Sequence, residues 1–412
     1  MKPLLYSFFL CLTFIACNNK NRNTGTGTPA ISDNFTEAAT SPHRPHHEKY
    51  DDFNFSSEAE WDSLVGNKPH PIPALRHELH PDYKTFGWHL YSKGSAYKSY
   101  NFSLLWGISY FSYIVDPETG GYKSIHQWKT TALVDSARVH HTKVFLSVSN
   151  FGSRDNATFL SHEKARETLL DSLAVLLDLR AANGINIDFE GVVSKSRTAF
   201  NDFIVFASKK LKQYNPEYQV SLALYAVDYN KVFDIKRIDP HIDFYTLMSY
   251  DYYGGFSEDA GPVAPLTSSK IWGEYSVESS VDYYLKEGIS PGKLIVGIPY
   301  YGAEWSVKNA ILPGKAEKFL SHPTYSGIKH DYINRLRAEI RHDTSIASNY
   351  LTMKDESGAL RQLWFNDSLS FARRYDWVKR KKLSGVGIWA LGYDHGDPEL
   401  WELLAAKFGQ EK

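Results

Sequence analysis

Cysteine is almost absent from this sequence, and neither sign of charge is in excess. Only two of the 412 residues are cysteines, Cys11 and Cys17, so no network of disulfides can hold the fold together. Lys and Arg number 46 and Asp and Glu 47, giving a net charge of −1, which argues against a polyanion such as nucleic acid as the partner. Hydrophobic residues make up 42% and aromatic residues 15%, enough for a large core in one domain with an insertion, or in two domains.

One apolar run stands out, and it lies at the N-terminus. Residues 4–16 are mostly apolar and end at Cys17, a length too short to span a bilayer but typical of a secretory signal. The ending FIAC resembles a bacterial lipoprotein signal, in which cleavage leaves an acylated cysteine. We therefore predict a signal peptide over 1–17 and attachment to the bacterial cell envelope through lipidated Cys17. An ordinary signal, or a cytosolic protein with an apolar start, is the alternative.

A polar stretch follows the signal. Residues 18 to about 50 are rich in Asn, Thr, Gly, Pro and His with little to bury, and we predict a flexible N-terminal tether over 18–70. His43, His46 and His47 could ligate a metal, but a short His tract without a scaffold is more typical of a solvated linker. We predict no metal and no cofactor.

Beyond the tether, short strand-like runs alternate with amphipathic helical segments. Eight such runs occur: KTFGWHL, LWGISYF, KVFLSVS, GINIDFE, QVSLALY, DFYTLMS, KLIVGIP and GVGIWAL. Alternating strands and helices favour parallel pairing, and eight units predict a (β/α)₈ barrel of the TIM type over 75–412, with an open doubly wound sheet as the alternative. The long gap between the last two runs predicts a small α+β insertion at about 309–362.

The run at 183–190, NGINIDFE, places polar side chains on one face of a predicted strand. Because strand residues two apart share a face, Asn186, Asp188 and Glu190 should all point into the barrel. The alternate residues Ile185, Ile187 and Phe189 should then face the helices. The two carboxyl groups would lie about 6.6 Å apart along the strand. Such a pair should keep one proton near neutral pH and could supply a general acid. A structural carboxylate pair is the alternative.

Three motifs together resemble those of family 18 glycoside hydrolases, the chitinase family. NGINIDFE resembles the family signature DGxDxDxE, MSYDYYG resembles its sixth-strand motif with Met248, Tyr250 and Asp251, and GVGIWALGYD places Trp389 on the eighth strand. The resemblance covers roughly residues 84–404. Two acids of the signature are replaced by asparagine, at 183 and 186, and the family's SxGG motif reads SVSNFG. Asn186 could still hydrogen-bond Asp188 but could not hold a proton for it.

The resemblance implies a role for each motif residue. Glu190 would protonate the glycosidic oxygen, and the substrate's own 2-acetamido group would act as nucleophile, so no carboxylate nucleophile is needed. Asp188 would orient that acetamide, and Tyr250 would donate a hydrogen bond to it. Asp251 would bond the distorted sugar, and Trp389 would form an apolar floor beneath it.

Substrate and partners follow from the same resemblance. It implies hydrolysis, with retention, of β-1,4 bonds after N-acetylglucosamine in chitin or chito-oligosaccharides. Peptidoglycan, an N-glycan core and a non-catalytic, lectin-like role are the alternatives. Among aromatic residues near strand ends, we expect Tyr110, Tyr225 and Trp305 to line sugar subsites. We expect a monomer whose partners are an N-acetylglucosamine-containing glycan and the membrane.

Overall fold

The eight apolar runs form one closed parallel sheet. The structure is a computed structural model that describes residues 49–50, 52–69 and 76–411. The first barrel strand pairs in parallel with both the second and the eighth, which closes the sheet and excludes the open alternative. Both faces of these strands are buried, which explains their nearly continuous apolar character. The strands are β1 Lys84–Leu90, β2 Gly107–Val115, β3 Lys143–Phe151, β4 Gly184–Glu190, β5 Gln219–Tyr225, β6 Phe244–Met248, β7 Leu294–Pro299 and β8 Gly385–Trp389.

Helices connect and surround the barrel strands. In chain order they are α1 Glu58–Val65, α2 Leu133–Val139, α3 Ser153–Ser161, α4 Glu163–Arg180, α5 Arg197–Tyr214, α6 Ile235–Ile238, α7 Val277–Glu287, α8 Ser368–Arg380 and α9 Pro398–Phe408. A short turn at Tyr325–Gly327 continues as a π-helix, Ile328–Arg335. In the described part of the chain, no helix has both the length and the apolarity needed to cross a membrane.

The local sequence explains where these helices begin and end. Helix α7, for example, starts with a capping box in which Ser276 and Ser279 exchange side-chain and backbone hydrogen bonds. It ends at Gly288, whose φ of 117° favours glycine.

The predicted insertion between β7 and β8 is present but wider than 309–362. It contains an antiparallel sheet of six strands, of which Ala303–Val307 lies before the predicted limits and Leu360–Phe365 extends beyond them. One two-residue strand comes from the loop after β6. The apolar residues of Ala303–Val307 follow β7 after only three residues. The sequence therefore does not show where β7 ends and the insertion begins. The sheet strands are Asp259–Ala260, Ala303–Val307, Gly314–Ser321, Arg341–Asp343, Ser348–Lys354 and Leu360–Phe365.

The predicted tether ends earlier than residue 70. Within it, Ser57 and Glu60 form a capping box for α1, and Gly66 closes the helix in the left-handed region with φ 65°. Trp61 on this helix is fully buried and donates through Nε1 to Gln127 Oε1 at 3.0 Å. Residues 52–69 therefore belong to the folded body, which corrects the predicted boundary. Residues 18–48, 51 and 70 of the predicted tether, together with the predicted signal and Cys17, lie outside the described residues.

Aromatic side chains fill the lower part of the barrel interior. Phe86, Phe145 and Phe244 contact one another with ring centroids 5.3–5.7 Å apart. Above them, Trp88 packs edge-on against Phe86 at 5.1 Å. The polar motif side chains lie above this apolar layer, toward the C-terminal strand ends, where active sites of this fold lie.

Candidate active site

Strand β4 carries the polar face predicted from NGINIDFE. Asn186, Asp188 and Glu190 are fully buried. On the other face, Phe189 packs against the helical layer, with its ring 5.6 Å from Phe159. The predicted division of the strand between barrel interior and helices is confirmed.

The side chain of Asn186 forms its hydrogen bonds within the barrel interior. Its Oδ1 accepts from Trp88 Nε1 at 3.0 Å, and because an indole N–H can only donate, this contact fixes the orientation of the amide. Nδ2 then donates to Ser221 Oγ at 2.9 Å and approaches Thr246 Oγ1 at 3.4 Å. The amide of Asn186 therefore bonds to side chains of β1, β5 and β6 and not to Asp188, although a hydrogen bond to Asp188 was possible from the sequence.

The main chain of Glu190 is fixed from the side of β3. Its carbonyl oxygen accepts from Gly152 N at 2.9 Å and from Asn156 Nδ2 at 2.7 Å. Asn156 is in turn held by Asn150, whose Nδ2 donates to Asn156 Oδ1 at 3.1 Å. The SVSNFG sequence therefore supplies Gly152, which binds the Glu190 carbonyl directly, and Asn150, which holds Asn156 in place.

Tyr225, at the end of β5, holds the segment around Glu190 from the opposite side to β3. Its hydroxyl donates to the Phe189 carbonyl at 2.7 Å and accepts from Val192 N at 3.3 Å. These two groups flank Glu190 and Gly191. Tyr225 is 1% exposed, and burial raises its pKa well above the usual range. It was expected to line a sugar subsite, but its hydroxyl instead holds the end of β4.

Tyr250 follows β6 and lies among the carboxyl groups. Burial, with the charges of Asp188, Glu190 and Asp251, raises the pKa of Tyr250 well above its usual range. Its hydroxyl therefore stays protonated and can donate. A Cβ on Gly297 of β7 would lie 2.7 Å from Tyr250 Cε1, so glycine is needed there for the ring to fit.

Asp251 stands next to Tyr250 in an unusual backbone conformation. Its φ of 54° is in the left-handed region, where Asp is tolerated better than most residues. Tyr301 donates its hydroxyl to Asp251 Oδ1 at 2.7 Å. Burial raises the pKa of Asp251 to about 7, and the Tyr301 hydrogen bond acts in the opposite direction.

Trp389 ends β8 and is fully buried. Its ring meets Trp88 at 5.7 Å and Phe111 at 5.1 Å, both edge-on. Peptide bonds on the C-terminal side of Phe111 and Trp389 are cis. Met248 ends β6 in register with Tyr225 on β5 and is also fully buried. Both motif residues thus lie at C-terminal strand ends.

Two of the predicted subsite residues lie elsewhere. Tyr110 is on the outer face of β2, where its hydroxyl accepts from Gln127 N at 3.1 Å; the next residue, Phe111, contacts Trp389 instead. Trp305 is in the insertion sheet, fully buried and edge-on to Phe319 at 5.5 Å. Neither presents an accessible ring to a sugar.

The fold and these side chains define a class of protein: a TIM barrel with a buried glutamate at the end of β4 and with an aspartate, a tyrosine and a tryptophan at the same end of the barrel. In the described residues, no three His, Cys, Asp or Glu side chains are grouped as metal ligands would be.

The chain belongs to the Glycosyl hydrolases family 18, whose family model matches residues 87–394. It is 23% identical over 308 residues to the cortical fragment-lytic enzyme of Bacillus subtilis (strain 168), covering 73% of this chain and 65% of that protein. The chain spans just under two thirds of the length of the curated glycosylases it matches.

Two solved structures show the same fold. The family 18 chitinase of Cycas revoluta in complex with (GlcNAc)3 superposes with a TM-score of 0.69 at 20% identity, covering 79% of this chain and all of that one. The spore cortex-lytic enzyme SleL of Bacillus megaterium gives 0.65 at 20% identity, covering 80% and 75%.

Proposed function

We propose that this chain is a retaining glycosidase that cleaves β-1,4 bonds after N-acetylglucosamine, with chito-oligosaccharides as its substrates. The observation that carries the proposal is Glu190, buried at the end of β4 with its main chain fixed from both sides. A general acid must hold its proton at one defined position, and a fixed backbone serves that need.

The neighbouring side chains support an acetamide nucleophile. Asp188 lies two residues before Glu190 on the same face, where it can accept the acetamide N–H. Tyr250 is kept protonated and can donate to the acetamide oxygen as charge develops there. Attack by that oxygen on the anomeric carbon forms an oxazolinium ion while the Glu190 proton passes to the leaving oxygen. Water then opens this ion with Glu190 as base, and the configuration is retained.

Peptidoglycan and N-glycans also contain a 2-acetamido sugar and remain the second candidates. The cortex-lytic relative favours peptidoglycan, whereas the chitinase superposed above was solved with N-acetylglucosamine oligomers. A lectin-like role is less well supported, because Glu190, Asp188 and Tyr250 are all retained. We further propose that the chain is a monomer anchored to the cell envelope through lipidated Cys17; palmitate incorporation abolished in Cys17→Ala would support the anchor.

The test is hydrolysis of aryl glycosides of chitobiose and chitotriose. Wild type should turn them over, and Glu190→Gln should lose about 10²–10⁴-fold in kcat with binding retained, because only proton donation is removed. Glu217→Gln, at an exposed position, is the matched control. An aryl cellobioside, which has a hydroxyl in place of the acetamide, should not react.

Either of two results would contradict this mechanism: an unchanged rate in Glu190→Gln, or equal rates on the cellobioside and the chitobioside. A folded wild type that binds acetamido glycans without cleaving any of them would favour the lectin-like role.

A further inference from the structure

A cavity of about 670 Å³ lies beside the catalytic strand, at the ends of β2 and β3. Phe151 lines it and is the register partner of Glu190. The Phe151 ring is 6.4 Å from Phe111, which in turn contacts Trp389. The cavity therefore adjoins the catalytic centre.

One wall of the cavity comes from outside the barrel. Phe53, Asn54 and Phe55, which precede α1, line it. This segment is firmly attached: Gln127 accepts from Trp61 and donates through Nε2 to the Phe55 carbonyl at 2.8 Å. These residues therefore form a fixed wall of the cavity at the C-terminal ends of the barrel strands.

Helix α1 itself is bound to the loop after β1, which makes this attachment stronger. Asp62 accepts from Ser95 N at 2.8 Å and from Ser95 Oγ at 2.6 Å. The Phe55 ring packs on Trp61 at 4.7 Å. Polar and aromatic contacts therefore fix the same segment at two points.

The lining suits uncharged sugars. The volume is within the range of about 300–1,000 Å³ typical of small-molecule sites. Aromatic rings from Phe53, Phe55 and Tyr122 offer apolar faces, while Lys123 and Asp155 form an ion pair at 3.4 Å that leaves no net charge. Rings beside paired polar groups match the C–H faces and hydroxyl groups of a neutral N-acetylhexosamine.

We propose that this cavity binds the sugar units on the leaving-group side of the scissile bond, so that residues 52–69 form part of the substrate site. The inference rests on the proposed function. Trp389 on β8 and Tyr250 after β6 surround the reacting sugar, and Glu190 stands at the bond to be broken. The cavity lies on the β3 side of Glu190, where the released sugar would be held.

The experiment compares two substrates in two variants. Chitohexaose places sugars on the leaving side, whereas chitobiose oxazoline has none. Phe53 and Leu64 are 39% and 41% exposed in the same segment, but only Phe53 lines the cavity. Phe53→Ala should lower kcat/KM for chitohexaose by about threefold to tenfold and leave oxazoline hydrolysis unchanged. Leu64→Ala should change neither rate.

Tyr122→Ala, on the opposite wall, tests the cavity without touching the N-terminal segment, and it should give the same selective loss. Equal losses on both substrates in Phe53→Ala, or no loss on either, would overturn the inference. If wild type hydrolyses neither substrate, the proposed function fails separately. The inference is then judged by calorimetry, where equal affinities of wild type and Phe53→Ala for chitohexaose would refute it.

Discussion

At the scale of single residues, the hydroxyl of Tyr225 fixes the backbone around Glu190, the proposed acid. It bonds a carbonyl just before Glu190 and an amide just after Gly191. Because these bonds fix the backbone on either side of the acid, Tyr225 is best described as a positioning residue.

We predict that Tyr225→Phe lowers kcat on the aryl chitobioside about tenfold while KM changes less than twofold. The two backbone groups lose their partner, which costs about 1–3 kcal/mol and loosens the strand end. Steady-state kinetics measure the kcat and KM effects separately. Tyr245→Phe makes the same chemical change at a buried position on β6 and should leave kcat unaltered; a similar fall there would show a nonspecific effect.

Asp251 gives a residue-level prediction on pH. Burial raises the pKa of its carboxyl to about 7, and the Tyr301 hydroxyl stabilises the charged form. Carbon-13 NMR should show one carboxyl titrating near pH 7 that is absent from Asp251→Asn. Tyr301→Phe should move this midpoint upward, because a donor to the carboxylate is lost; a downward shift would contradict the assignment.

The positions of the motif side chains at strand ends could be predicted from the sequence, because each motif specifies both a residue type and its place on a strand. Tyr110 could not be assigned in this way. Both faces of a parallel barrel strand are buried and apolar, so the sequence SYFSY does not show whether Tyr110 or Phe111 points inward. Only the pairing register, with its irregularity between Tyr110 and Tyr113, decides this.

At the scale of elements, helix α1 is the main feature that sequence reasoning missed. Composition around it is polar, which favoured a tether, yet the signal was present. Ser57 followed by Glu60 three residues later is a capping box, and Gly66 is placed as a helix C-cap. A single helix of eight residues is marginal alone, so its stability depends on burial of Trp61.

Trp61→Ala should therefore release α1 while the barrel stays folded. Removing a buried Trp costs about 3–5 kcal/mol. We expect this cost to destabilise the packing of α1 against the barrel and not the barrel itself. Hydrogen–deuterium exchange should show faster exchange across residues 52–69 and little change in β1–β8. Leu64→Ala, in the same helix but 41% exposed, should exchange like wild type. Uniformly faster exchange would mean that α1 supports the whole fold.

At the scale of the whole molecule, buried carboxyl groups link stability to pH. Burial raises the pKa of Asp228 and that of Asp394 to about 6. A raised folded-state pKa means that protonation favours the folded chain. The stabilisation is complete below about pH 4 and is lost as pH rises through about 6.

Asp394→Asn removes one of these titrations. The difference in stability between this variant and wild type should favour the variant more at pH 7.5 than at pH 4.5, because only wild type must bury a charge at the higher pH. Urea denaturation at the two pH values measures the difference. The opposite order would show that Asp394 is stabilised in its charged form.

The attached N-terminal segment has a consequence for how this protein is produced. Sequence similarity to the family begins at residue 87, within β1, and an expression boundary chosen just before this strand would remove α1 together with Phe53 and Phe55. Such a truncated chain would keep Glu190 and the barrel strands, but if the cavity binds sugars as proposed, its preference among oligosaccharide lengths would differ from that of the full chain. Specificity assays on the trimmed domain would then describe an artefact of cloning.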